Sequence, residues 1–168
     1  MAATTPDSLP ALLTAVTADR LALIARHEAS ARVVAHYDFN NTYQYVVSRE
    51  ETHLRWLRDA LADVGADMPA PGASLGAPAS PKGTNPAAFR DILAEDGKTL
   101  AAFVATWEAP IAGMTHARHR RMLDVILGES REHQRLFEQA AAGFEDVLGR
   151  RTTTSPRVGG VLPKRWQA

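Results

Sequence analysis

Six side chains carry the chemistry in this sequence: Glu28, Glu50, His53, Asp96, Glu129 and His133. The run Glu50-Glu51-Thr52-His53 sets a carboxylate and an imidazole three residues apart. In Glu129-Ser130-Arg131-Glu132-His133 a second such pair is four residues apart. Residues at either spacing share a face of a helix. Stepped around a helix at about 100° per residue, Glu50 lies at the centre of an apolar stripe with Tyr43, Val46, Val47, Leu57 and Leu61, and His53 lies at its edge. Glu129 and His133 fall inside a stripe that includes Met122, Val125, Ile126, Phe137 and Phe144. Asp96 falls among Ile92, Leu93, Leu100, Phe103 and Trp107, and Glu28 shares a face with Leu21, Ile24, Ala25 and Ala31. A buried carboxylate is costly unless a cation or hydrogen-bond donors meet it. A pair of metal ions would neutralise several carboxylates at once, and imidazole suits iron, manganese or zinc as a further ligand. The alternative is ordinary pairing: Glu28 with Arg32, and the other acids with His53, His133 and arginines.

The elements that must position these groups follow from where glycine and proline fall. Residues 11–64 contain neither, whereas residues 65–86 hold nine of them. A single helix over the first block would be roughly 80 Å long at ~1.5 Å per residue, too long for one compact domain, so the block must turn back. Asp and Asn favour turns and helix caps. The segment Tyr37-Asp38-Phe39-Asn40-Asn41 is therefore the expected turn. Helices are expected over about 8–37, 41–65, 86–112 and 115–148, with a crossover over 66–85 and an extended tail over 149–168. Asn85-Pro86 is the expected start of the third helix, as cap and first helical residue. The prediction is an all-α four-helix bundle, with two antiparallel hairpins joined by a crossover long enough to run the length of the bundle.

That layout sets the six groups at one height. Glu28 and Glu50 lie symmetrically about Phe39 in the expected turn. Asp96 with Glu129, or with His133, brackets Gly113 in the second turn. Glu50 and Asp96 also lie at similar distances from the starts of their helices.

This pattern resembles the ferritin-like superfamily of dimetal-carboxylate proteins, which includes ferritins, bacterioferritins and the helical domain of rubrerythrins. Their plan is a Glu, a Glu-x-x-His, a long crossover, an acidic residue and a second Glu-x-x-His. Glu28 and Glu50-x-x-His53 match the first half. The second half departs, with Asp96 where Glu is usual and His133 four residues after Glu129. Glu95 and Glu132 are alternative ligands to Asp96 and Glu129. The resemblance implies two Fe ions, or Mn, bridged by Glu50 and Glu129, with Glu28, Asp96, His53 and His133 as terminal ligands. It also implies redox chemistry with O₂ or peroxide, so that the chain would be a di-iron oxidoreductase of ferroxidase or peroxidase type. A non-catalytic helical bundle used for oligomerisation or scaffolding is the competing expectation.

Composition narrows the field. The 19 Lys+Arg balance 19 Asp+Glu, so bulk charge argues against a nucleic-acid binder. There is no cysteine, which excludes disulfides, thiolate metal sites and thiol catalysis. No stretch is long and apolar enough for a membrane span, and the N-terminus lacks the pattern of a signal peptide, so a cytoplasmic location is expected. Residues 114–168 carry ten Lys/Arg against six Asp/Glu, whereas residues 1–113 carry nine against thirteen. This asymmetry, with the basic run His116-Ala117-Arg118-His119-Arg120-Arg121, favours a homodimer or higher homo-oligomer. Trp166 is the candidate anchoring side chain on the tail.

Overall fold

A computed structural model describes residues 8–149 of the chain. Four α-helices follow one another: α1 (Leu9–Val33), α2 (Tyr37–Asp63), α3 (Arg90–Ala112) and α4 (Ala117–Ala141), with a 3₁₀ turn over Pro86–Phe89 leading into α3. There is no strand among the described residues, which are all-α as expected. One core joins the helices: Leu13, Val16 and Leu23 from α1, Phe39, Tyr43 and Leu57 from α2, Leu93 and Leu100 from α3, and Leu123 and Phe137 from α4 all belong to it. The predicted tail, Trp166 included, falls outside the described residues except for Gly149.

The first turn lies four residues earlier than the sequence pattern suggests. It is Val34-Ala35-His36, and Tyr37–Asn41 already belong to α2. Asp38 sits in the first turn of α2, where a carboxylate complements the helix dipole. Phe39 is fully buried. The Asn40 side chain donates to the carbonyls of Ala31 (2.8 Å) and Val34 (3.2 Å), two groups that the end of α1 leaves without partners. Asn40 thus caps the preceding helix from inside the next one, which is why its turn signal is displaced.

The second boundary correction is at α4. Gly143, with φ +103°, ends it: Gly143 N–H bonds to Ala140 and Phe144 N–H to Gln139. This is a Schellman cap, and the same pattern closes α2 at Gly65, where Ala66 N–H reaches Leu61. Gly149, the expected terminator, lies well beyond. Phe144 is consequently 67% exposed and not part of the core stripe, and Val125 is 48% exposed.

The crossover from 66 to 85 has no helix or strand and lies against α1. Gly72 N–H donates to Ala18 carbonyl at 2.8 Å, and a Cβ at Gly72 would come within 2.9 Å of the Asp19 carboxylate. Glycine is needed there for this close approach. Asn85 Oδ1 accepts from Ala88 N–H (3.0 Å), so the predicted cap forms, although it opens the 3₁₀ turn instead of α3 itself.

Candidate polar centre of the bundle

Arg20 of α1 is the largest fully buried side chain in the described structure. Its Nη1 donates to Glu50 Oε1 of α2 at 3.1 Å, and its Nη2 donates to Ser130 Oγ of α4. Its guanidinium carbon lies 4.3 Å from the centroid of the Phe103 ring of α3, a cation–π distance. One guanidinium therefore touches a side chain on each of the other three helices. Burial lowers the Arg20 pKa and the Glu50 charge opposes that fall. Arginine stays protonated in proteins, so the charge is permanent.

Glu50 is fully buried. His27 Nδ1 lies 2.9 and 3.0 Å from its two oxygens. Burial alone would raise the Glu50 pKa, but His27 and Arg20 outweigh it and hold the carboxyl down at about 2. As Glu50 is ionised and can only accept, the hydrogen on this contact belongs to His27 Nδ1.

Asp96 of α3 forms a second, separate cluster. Arg26 Nε donates to Oδ1 at 2.7 Å and Tyr43 Oη donates to Oδ2 at 2.6 Å. The Tyr43 pKa is raised well above the usual phenol value by burial and then by the Asp96 charge. Arg26 Nη1 also donates to Gly76 carbonyl at 3.1 Å, which ties the crossover to this cluster.

Glu129 of α4 is at the rim, with its side chain 23% exposed. Arg49 grips it through two hydrogen bonds, 3.0 and 2.7 Å, and His53 Nε2 lies 2.9 Å away. The Arg49 hydrogen bonds are the main reason that its pKa is lowered. His53 and His133 are fully buried, with ring centroids 6.3 Å apart. Burial first, and Arg20 nearby, push both imidazoles down to about 4, so both are neutral near pH 7. Neither ring nitrogen of His133, nor His53 Nδ1, nor His27 Nε2 has a hydrogen-bond partner among the described residues.

The structure therefore brings Glu50, His53, Glu129 and His133 to adjoining parts of α2 and α4 and sets Asp96 in its own cluster. Glu28 is not on the core face. It is half-buried and 3.8 Å from Arg32. Its mate in the expected layout moved because the turn moved: Arg20 and Glu50, not Glu28 and Glu50, flank Ala35 at equal separation. Glu95 is exposed beside Lys98 at 3.3 Å, and Glu132 is exposed.

The sequence pattern singles out none of Arg20, Arg26, His27, Arg49 and Ser130 as functional, and gives Tyr43 only as a member of the apolar stripe. Two signals could have found the most central of them. A three-residue turn at Val34–His36 gives Arg20 as the residue opposite Glu50. The spacing Ser130-x-x-His133 repeats Glu50-x-x-His53 with a serine in the carboxylate position.

That repeat decides how well a dinuclear centre fits. The dimetal-carboxylate plan needs an inward Glu from each of two helices and Glu-x-x-His from each of the other two. At this level Arg20 of α1 contacts Glu50 on α2, Phe103 on α3 and Ser130 on α4. A guanidinium therefore lies beside the buried carboxylate, with a serine and a phenyl ring as its other neighbours. Among the described residues no group of three or more His, Asp or Glu is arranged to hold a metal ion. A metal ion at Glu50 would have to compete with the permanent charge of Arg20 for that carboxylate.

No family model, no curated protein and no solved structure matches the chain. No helix among the described residues is long and apolar enough to cross a membrane.

Proposed function

We propose that this chain is a non-catalytic helical bundle used for oligomerisation or scaffolding, with a ferritin-like layout of two antiparallel hairpins and a guanidinium where that layout holds metal ions. Arg20 carries the reading. It offers three of the other helices one buried cation, and each neighbouring acid has its own positive or hydrogen-bonding partner: Glu50 has Arg20 and His27, Asp96 has Arg26 and Tyr43, and Glu129 has Arg49 and His53. A centre neutralised from within needs no metal to fold. The pairs Asn40 with Ala31 and Arg20 with Glu50 suit an antiparallel α1–α2 hairpin. The test is the thermal unfolding midpoint of protein expressed with iron. It should be unchanged by EDTA, and a fall of several degrees on chelation would overturn the reading.

A second reading is favoured by one specific observation, the two unpartnered ring nitrogens of buried, neutral His133. Neutral imidazole is a good ligand for transition metals. In this reading His53 and His133, with Glu50 and Glu129, hold iron or manganese, which would supply redox chemistry with O₂ or peroxide. His53 and His133 would bind, Arg49 would orient Glu129, and the buried Phe103 and Phe137 would exclude water. Stoichiometric iron in the wild type, lost in both Glu50→Ala and Glu129→Ala, would establish this reading over the first. Iron retained in both variants would remove these ligands from it.

A further inference from the structure

The outer face of α4 has a feature that the polar centre does not explain. Gly128 lies in mid-helix and is exposed, and a Cβ there would meet nothing within 4 Å. Glycine is the poorest helix former after proline, and nothing inside the chain requires one at this position. Three residues before it, Val125 is 48% exposed. Beside them a groove of about 460 Å³ runs between α2 and α4, with Trp56, Ala60, Met122 and Val125 as its apolar lining. Along this face the charges change sign. Arg118 and Arg121 precede Val125, and Glu129 and Glu132 follow it. Arg118 is paired with Asp63 at 3.1 Å but is 79% exposed. Arg121 and Glu132 make no ion pair among the described residues, and the Glu132 charge helps to raise the Arg49 pKa.

A helix face that begins basic and ends acidic is complementary to an antiparallel copy of itself. In a twofold interface the same patch serves both subunits, and each contact occurs twice. With the axis at Val125, the partner's Gly128 comes beside Arg121, where the missing side chain leaves room for the guanidinium and its stem. Arg118 comes opposite the partner's Glu132, Arg121 lies next to the partner's Glu129 and Glu132, and Val125 meets the partner's Val125. The two α4 dipoles then run in opposite directions, which is favourable. We propose that a second copy of this chain docks on the α4 face in this way, forming an antiparallel α4–α4 dimer with Val125 at its centre. The proposal rests on the oligomerisation reading above and gives it a surface.

The test is sedimentation equilibrium of the full chain over a range of concentrations. The wild type is expected to dimerise. Arg118→Glu should raise the dissociation constant at least tenfold, and Arg118→Glu with Glu132→Arg should restore it, because the swap rebuilds the complementary pair. Gly128→Met should also weaken the dimer tenfold or more while leaving the unfolding midpoint of the monomer unchanged or higher, since the position is open within one chain. A dimer that ignores all three variants overturns this interface and leaves the oligomerisation reading standing. A chain that stays monomeric at every concentration overturns both. A monomer in which residues 150–168 shield the α4 face from hydrogen exchange would assign that face to the chain's own tail and also overturn the proposal.

Discussion

Glu50 and Glu129 stand on facing helices, each bonded to an arginine and a histidine, yet they live in different dielectric surroundings. Glu50 and both of its partners, Arg20 and His27, are fully buried. Glu129 and Arg49 keep side-chain exposures of 23% and 34%. The same chemistry therefore has different consequences. Breaking a buried pair by removing one partner strands a charge away from water and costs about 3–5 kcal/mol. A solvated pair is screened and contributes about 0–1 kcal/mol. The inner cluster thus holds the helices in place, whereas the outer cluster closes its rim.

The largest expected effect is at the inner arginine. Arg20→Met should cost about 3 kcal/mol or more in urea unfolding, because Glu50 is left with His27 alone. Replacing both partners, as in Arg20→Met with Glu50→Leu, should recover much of that loss. An equally large loss in the double variant would mean that Arg20 acts through packing and not through its charge.

The second effect is at the other buried cluster. Tyr43→Phe removes the hydroxyl that donates to Asp96 at 2.6 Å. Removing a hydrogen bond to a charged group costs roughly 1.5–3 kcal/mol. A cost below about 0.5 kcal/mol in the same unfolding assay would show that Arg26 alone satisfies Asp96.

At the rim, Arg49→Ala should cost no more than about 1 kcal/mol. Its more informative effect is on Glu129, whose carboxyl should titrate closer to the ordinary range once the main cause of its depression is gone. Carboxyl-labelled NMR reads this directly. A loss at Arg49 as large as that at Arg20 would erase the distinction between inner and outer clusters. The smallest effect is at the surface pair of α1. Arg32→Ala should change stability by roughly 0.5 kcal/mol or less, as for other i,i+4 pairs.

Acidification sharpens the same contrast. His53 and His133 have folded pKa values of about 4 against the usual 6.5, so between these values the unfolded chain binds protons that the native state refuses. Stability must fall as pH drops through that window. Glu50, depressed to about 2 from 4.5, contributes stability that is present above pH 4.5 and is lost as pH falls towards 2. Both terms have the same sign. Unfolding free energy measured against pH should decline from near pH 6.5 downwards, and His133→Gln should flatten the part between pH 6.5 and 4. An unchanged slope in that variant would place the acid sensitivity elsewhere.

Much of the helical layout was legible in the sequence because breakers are punctuation: the gap-free block, the crossover and the Asn85 cap were read from residue type alone. The first turn was misplaced because Asn40 sends its side chain backwards to cap α1, and a side-chain hydrogen bond to another helix leaves no mark in local pattern. That shift carried the error into the site. Glu50, His53, Asp96 and His133 were correctly set on buried faces, since each falls within an apolar stripe. Glu28 was set opposite Glu50 only because the turn was. Arg20 was overlooked because a long basic side chain in an amphipathic helix is ordinarily solvated, and only three-dimensional neighbours show that its charge has partners inside.

On the proposed reading, the Arg20 guanidinium neutralises the polar centre in place of metal ions. Elemental analysis of the full chain, expressed with iron and purified without chelator, tests it most directly. Iron and manganese far below one ion per chain in folded protein is the predicted result. One or two ions per chain, lost in Glu50→Ala and Glu129→Ala, would contradict it.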